Sequence, residues 1–187
     1  MRRYDRGYAA MKQAIESGEI GAPLMIHSCH RNMSQAPGFA TDYAVTRVAI
    51  HEIDISRWLL DDEYATAQVL AVHQSKNTQG DWLNPQIMML TTRSGQRIDV
   101  EVQTDGAYAY DIQCQVVGED GTVSLPDPSA VVKRAGAACS FPIMTDWSQR
   151  FIEAYDIEFD AWAKALLNGA PDGPSAVSYT HLTLPTI

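Results

Sequence analysis

Residues 86–125 read QIMMLTTRSGQRIDVEVQTDGAYAYDIQCQVVGEDGTVSL, and this stretch decides the fold. Apolar and polar residues alternate with a period of two over Gln86–Arg93, Arg97–Thr104, Tyr108–Val117 and Thr122–Leu125, which predicts four strands. SG, TDG and GEDG separate them as turn material. Strands joined by turns this short run antiparallel, because a parallel return needs a crossover of about a dozen residues. Ala65–Gln74, set off by NTQGDW, adds a fifth strand ahead of them, and the whole reads as a meander. Tyr108 and Tyr110 share a face of their strand. Ile112, Cys114 and Val116 lie opposite Val117, so both faces carry apolar residues and the sheet calls for a second layer or a partner subunit.

Outward from the meander the period changes. Tyr8, Met11 and Ile15 recur at helical spacing between a capping Asp5 and a stop at Gly18 and Gly21. Pro23–Asn32 alternates as a strand, with Leu24, Ile26, Ser28 and His30 on one face and Met25, His27, Cys29 and Arg31 on the other. His27 and His30 therefore point opposite ways and cannot chelate one metal. Val45–Leu60 is a helix with a Val48, Ile55 and Leu59 stripe, and Asp146 caps a last helix whose stripe is Trp147, Phe151, Tyr155, Trp162 and Leu166, stopped by Asn168-Gly169. Strands grouped between flanking helices argue an α+β fold: an open, mostly antiparallel sheet with helices packed on one face.

The 187 residues can bury a single core, and 14 basic against 23 acidic side chains give a net charge of -9. A phosphate backbone is repelled by that charge, so nucleic acid is not an expected partner. Cys29, Cys114 and Cys139 form no CxxC pair, which points to reduced thiols. No apolar run has the length of a membrane span, and MRRYDRGYAAM lacks a signal-peptide core, so a cytoplasmic location is expected.

The chemistry-bearing stretch is VTRVAIHEIDISRWLL, residues 45–60. On a regular helix Arg47, His51, Asp54, Ile55 and Trp58 share a side. His51 is either a structural histidine or a general base, since imidazole titrates near neutrality. HEID lacks the second histidine of HExxH, Ile55 standing in its place, so no metal is expected. Glu52 reads as a complement to the positive end of the helix dipole, and Asp54 as support for the helix or its neighbours. His30–Asn32 could hydrogen-bond a polar ligand or simply end a strand in solvent, and Tyr108 and Tyr110 could be packing residues. The glycines form neither GxGxxG nor GxxxxGK, so the chain has no phosphate cradle of its own.

MRRYDRGY, GEIGAPLMIHSCHRN, AIHEIDISRWLLDDEY, YAYDIQCQVVGEDG and MTDWSQRFIEAYDIE together resemble the second half of the inositol 2-dehydrogenases of the Gfo/Idh/MocA oxidoreductase family, from Met1 to about Ser175. The resemblance implies NAD-dependent oxidation of a ring hydroxyl of myo-inositol to 2-keto-myo-inositol, a C-terminal substrate and oligomerisation domain over residues 1–175, a homotetramer built through the open sheet face, and an N-terminal Rossmann domain missing from this chain. NAD would be bound mainly by that domain, and no cofactor-binding residue is assigned here. His51 matches the catalytic histidine that takes the hydroxyl proton, and Arg2, His30, Asn32 and Tyr110 match positions lining the polyol pocket.

Two departures qualify the match. Arg47 stands where the family places an aspartate one turn before the histidine; a guanidinium donates but cannot accept, and beside His51 it lowers the imidazole pKa. That exchange points to a changed substrate preference or weakened activity, with an acidic sugar derivative as one candidate substrate; the alternative within the enzyme class is a relative acting on another sugar or polyol, such as scyllo-inositol or a glucose derivative. From Val177, VSYTHLTLPTI abandons the family pattern, so residues 176–187 are expected to be a non-native or disordered tail. The reading from a different class is an assembly module without catalysis.

Overall fold

The computed structural model describes residues 1–78, 80–126 and 131–169; the tail expectation for residues 176–187 lies outside them. A 3-10 turn, Arg2–Tyr4, leads into α1, Arg6–Glu16. Then come β1, Pro23–Arg31, a π-helical segment, Ala44–Ala49, and α2, Ile50–Leu60. Strands β2, Tyr64–Ala71, β3, Gln86–Thr92, β4, Arg97–Gln103, β5, Asp111–Gly118, and β6, Thr122–Ser124, follow. A small hairpin of β7, Lys133–Ala135, and β8, Ala138–Ser140, precedes α3, Trp147–Leu167.

The expected caps are formed. The Asp5 carboxylate accepts from the Gly7 and Tyr8 amides, and Asp146 accepts from Ser148 and Gln149, each satisfying orphan donors of a first turn. The hairpin β7–β8 has a weaker signal in AGAA: Gly136 and Ala137 both take positive φ, the geometry of a two-residue turn that follows strand twist.

The meander needs correction. The sheet order is β2-β3-β4-β1-β5-β6, so β1 is inserted between β4 and β5 and runs parallel to β4, while the other four pairings are antiparallel. The reversal from β4 to β5 that the turns predict is present, but the loop between them steps over the end of β1. Backbone bonds mark the crossing: the Asn32 amide donates to Gln103 O, Gly106 to Asn32 O and Ala107 to Met33 O. This loop also shortens the predicted strand at Tyr108, because β5 starts only at Asp111. Tyr108 is half exposed and Tyr110 buried, so they do not share a strand face.

Register then assigns the faces. Ile26, Ser28 and His30 of β1 align with Ile98, Val100 and Val102 of β4 and with Val116, Cys114 and Ile112 of β5. Together with Met88 and Leu90 they form the buried side, covered by Tyr8 and Met11 of α1, Ile53, Ile55 and Leu59 of α2, and Phe151 and Ala154 of α3. Burying each aliphatic side chain stabilises the fold by about 1.5–3 kcal/mol, which explains why the alternation sets the register so firmly.

The opposite face has no helix on it among the described residues and is more polar than expected. Arg31 bridges Glu101 and Asp111, His27 pairs with Asp99, and Gln113 and Gln115 point outward among the half-buried or exposed Met25, Ile87, Met89 and Leu70. Ile112, Cys114 and Val116 belong to the covered side. The α3 stripe is also only partly used: Phe151 is buried and Tyr155 packs at the edge of the core, while Trp147, Trp162 and Leu166 are exposed. No described helix is long and apolar enough to cross a membrane.

Candidate functional site

The site grows from three elements: the 3-10 turn before α1, the C-terminal end of β1, and the start of α2. Asp5 terminates that turn and caps α1, which holds Arg2 inward with its side chain 2% exposed. Alternation along β1 turns His30 to the covered face, where it is 3% exposed. The π-helical segment widens the backbone just before α2, with the Ile50 amide reaching back five residues to Val45 O. His51 therefore follows an expanded turn rather than the regular helix that the sequence suggests.

Four residues singled out in the sequence meet here. The His30 ring lies 6.3 Å from that of His51 and 5.6 Å, edge-on, from that of Tyr110. The Arg2 guanidinium contacts His30 Nδ1 at 3.2 Å and sits 5.2 Å above the Phe151 ring, which itself packs against Tyr110. Asn32 lies two residues beyond His30, and its Oδ1 is buried without a hydrogen-bond partner among the described residues.

The carboxylate at the centre of this cluster is Glu52, which stands in the first turn of α2 as the dipole reading expects but is buried and paired, so that reading leaves out its main contacts. Glu52 is 1% exposed, forms an ion pair with Arg2, and has Oε2 2.9 Å from His30 Nδ1. Burial alone would push its carboxyl up, but Arg2 and then His30 outweigh this and hold it at about 2. The Arg2 guanidinium is driven up despite its burial, chiefly by Glu52. Asp54 acts as expected, accepting from Arg3 Nε at 3.1 Å.

His51 is lowered to about 4, first by burial and then by the charge of Arg2, against an opposing pull from Glu52. The expected direction holds, but the arginine responsible is Arg2. Arg47 is exposed, and its guanidinium lies 3.5 Å over the Tyr43 ring, a cation–π contact outside the buried cluster. Burial pushes the Tyr110 hydroxyl up to about 12, so it stays protonated at neutral pH.

The chemistry available in the cluster is that of a neutral imidazole, a protonated phenol and a buried ion pair, groups able to hydrogen-bond hydroxyls and to accept one proton. Among the described residues no group of three His, Cys, Asp or Glu side chains is placed to hold a metal. The N-termini of α1 and α3, where an anion could bind, are occupied by the carboxylates of Asp5 and Asp146. A groove on the open sheet face, lined by His27, Arg31, Glu101, Gln113 and Phe141, is separate from the His51 cluster.

An open sheet with helices on one face and a buried histidine cluster beneath them defines the class, the C-terminal alpha/beta domain of an oxidoreductase. That domain description matches residues 12–178, and the chain belongs to the Gfo/Idh/MocA oxidoreductase family. It is 50% identical over 176 residues to the inositol 2-dehydrogenase of Burkholderia cenocepacia, covering 94% of this chain and 52% of that protein. Identity to the inositol 2-dehydrogenase of Acidiphilium cryptum is also 50%, over the same shares. The Lactobacillus casei myo-inositol dehydrogenase, solved in complex with NAD(H) and myo-inositol, superposes with a TM-score of 0.91 at 36% identity, over 95% of this chain and 53% of that one. The chain spans about half the length of the curated relatives it matches.

Proposed function

We propose that this chain is the substrate-binding and proton-accepting part of an NAD-dependent inositol 2-dehydrogenase that converts myo-inositol to 2-keto-myo-inositol. The observation that carries the reading is the convergence of His51, His30, Arg2 and Tyr110, four residues from distant parts of the sequence, in one buried polar cluster. An assembly module has no use for a neutral imidazole set among hydroxyl-gripping groups, so the convergence favours catalysis.

Oxidising an alcohol removes a proton from oxygen and a hydride from carbon. His51 takes the proton, its lowered pKa keeping the imidazole neutral at pH 7. Asn32 Oδ1, buried without a partner among the described residues, is an acceptor for a substrate hydroxyl, and the Tyr110 hydroxyl, protonated at neutral pH, is a donor. NAD would supply the hydride acceptor, and the resemblance assigns it to a nucleotide-binding domain. A homotetramer assembled through the open face suits that face's mixture of ion pairs and half-buried methionines, and a cytoplasmic setting suits three free thiols.

Arg47 supports a narrower second reading, a preference for another polyol or for a sugar acid, since an exposed cation stacked over Tyr43 stands where the resemblance leads one to expect a carboxylate. The test is a fusion of this chain behind the first half of the Burkholderia cenocepacia relative, assayed with NAD against myo-inositol, scyllo-inositol, glucose and a sugar acid. NAD reduction with any polyol of the set supports the dehydrogenase reading, and a folded fusion inert to all of them refutes it.

A further inference from the structure

We propose that Glu52 is a positioning residue: its carboxylate takes the Nδ1 proton of His30 in a hydrogen bond and fixes that ring in the tautomer whose Nε2 is a bare acceptor for a substrate hydroxyl. The proposal rests on the dehydrogenase reading only for the identity of the ligand.

The geometry poses a choice. His30 Nδ1 lies 2.9 Å from Glu52 Oε2 and 3.2 Å from Arg2 Nη2. An ionised carboxylate can only accept and a guanidinium can only donate, so a neutral ring serves one or the other. With its proton on Nδ1 the ring donates to Glu52; with Nδ1 bare it accepts from Arg2. Three observations select Glu52. Its contact is the shorter, and a bare Nδ1 there would set a lone pair against a buried carboxylate, which the low local polarity makes expensive. Arg2 is already tied to Glu52 Oε1 through Nη1, so the carboxylate holds the guanidinium in place whichever ring nitrogen carries the proton. Glu52 is also held ionised at about 2 by Arg2 and His30 despite its burial, so it is an acceptor throughout the neutral range.

The consequence is a division of labour between two rings 6.3 Å apart. A carboxylate bound to one imidazole nitrogen fixes what the other can do, a tautomer lock of the kind that orients a histidine in metal sites and catalytic triads. His30 is then a pure acceptor at Nε2, orienting a hydroxyl, while His51 receives the proton that leaves. Burial and the edge-on Tyr110 ring keep the His30 ring from turning to exchange its nitrogens.

The test is the histidine ring nitrogen spectrum of the full chain at pH 7, with His30 assigned by its loss in His30→Asn. The expected result is a protonated, pyrrole-type Nδ1 and a bare, pyridine-type Nε2 for His30 in the wild-type protein. In Glu52→Gln, whose side chain both donates and accepts, the Nδ1–H preference should be lost. A wild-type His30 that is protonated on Nε2, alone or as imidazolium, overturns the proposal without recourse to any variant. A tautomer unchanged in folded Glu52→Gln overturns it as well. Added myo-inositol should move the His30 Nε2 signal; if that signal stays fixed while the Nδ1–H tautomer is present, the polyol reading fails and the role of Glu52 stands.

Discussion

Glu52 and Arg2, 50 residues apart in sequence, form an ion pair whose side chains are 1% and 2% exposed. Buried charges are tolerated only when paired, and breaking such a pair strands its partner in a medium that cannot solvate it. Glu52→Gln should therefore destabilise the fold by about 3–5 kcal/mol, seen as a lower urea midpoint at unchanged m-value. The double variant Arg2→Met/Glu52→Gln should recover part of that loss, because it removes the uncompensated guanidinium too. A single variant as stable as wild type would show that the pair is not closed in solution.

Acid sensitivity follows from two depressed groups. The unfolded chain protonates His51 near 6.5 but the folded chain only near 4, so the unfolded state binds more protons in that window and stability falls as pH drops through it, by about 3 kcal/mol in all. Glu52 adds a second loss lower down, its contribution being complete above 4.5 and removed as pH falls toward 2. Urea midpoints at pH 7, 5.5 and 4 should fall steadily in the wild type, and His51→Asn should flatten the decline between 6.5 and 4. Equal slopes in the two proteins would mean that His51 is not buried neutral.

Gly118 illustrates packing that tolerates no side chain. A Cβ there would stand 2.1 Å from Ile20 O, a carbonyl that already accepts the Asp120 amide. Because the obstacle is backbone, relief requires the β5–β6 turn or the loop after α1 to move. Gly118→Ala should cost about 1–3 kcal/mol, measured by thermal or urea unfolding. Gly95, with open space around it but φ of +98°, should be sensitive through backbone strain instead.

Arg47 tests substrate choice apart from stability. Its side chain is exposed over Tyr43, so Arg47→Asp should change the urea midpoint little. In the fusion protein the same change should raise myo-inositol turnover, restoring the carboxylate that the resemblance leads one to expect. Unchanged turnover with normal starting activity would remove Arg47 from the account of specificity.

The sequence carried local information well and long-range information poorly. Asp5 and Asp146 were legible as caps because a cap and its helix are adjacent, and the faces of β1 were legible because alternation is a local property. The insertion of β1 between β4 and β5 was not, since no spacing rule connects residues 23–31 to residues 97–118. Glu52 was missed for the same reason: an acidic residue in a first helical turn has an ordinary explanation, and its partners lie 50 and 22 positions away. The π-helical turn before His51 has no sequence signature, and it alters which residues share a side with Arg47. His51 itself stood out only through the resemblance, because a lone histidine on a helix is as well explained by packing.

Whether His51 accepts the proton of a bound polyol is decided by ring-resonance titration of the labelled chain with myo-inositol, with His27 on the open face as an internal control. Saturable shifts are expected at His51, His30 and Tyr110 with His27 unmoved, together with NAD-dependent turnover in the fusion that falls about 10²–10⁴-fold in His51→Asn. Turnover undiminished by His51→Asn, or inositol shifts that leave His51 unmoved and appear at His27 instead, would contradict that role for His51.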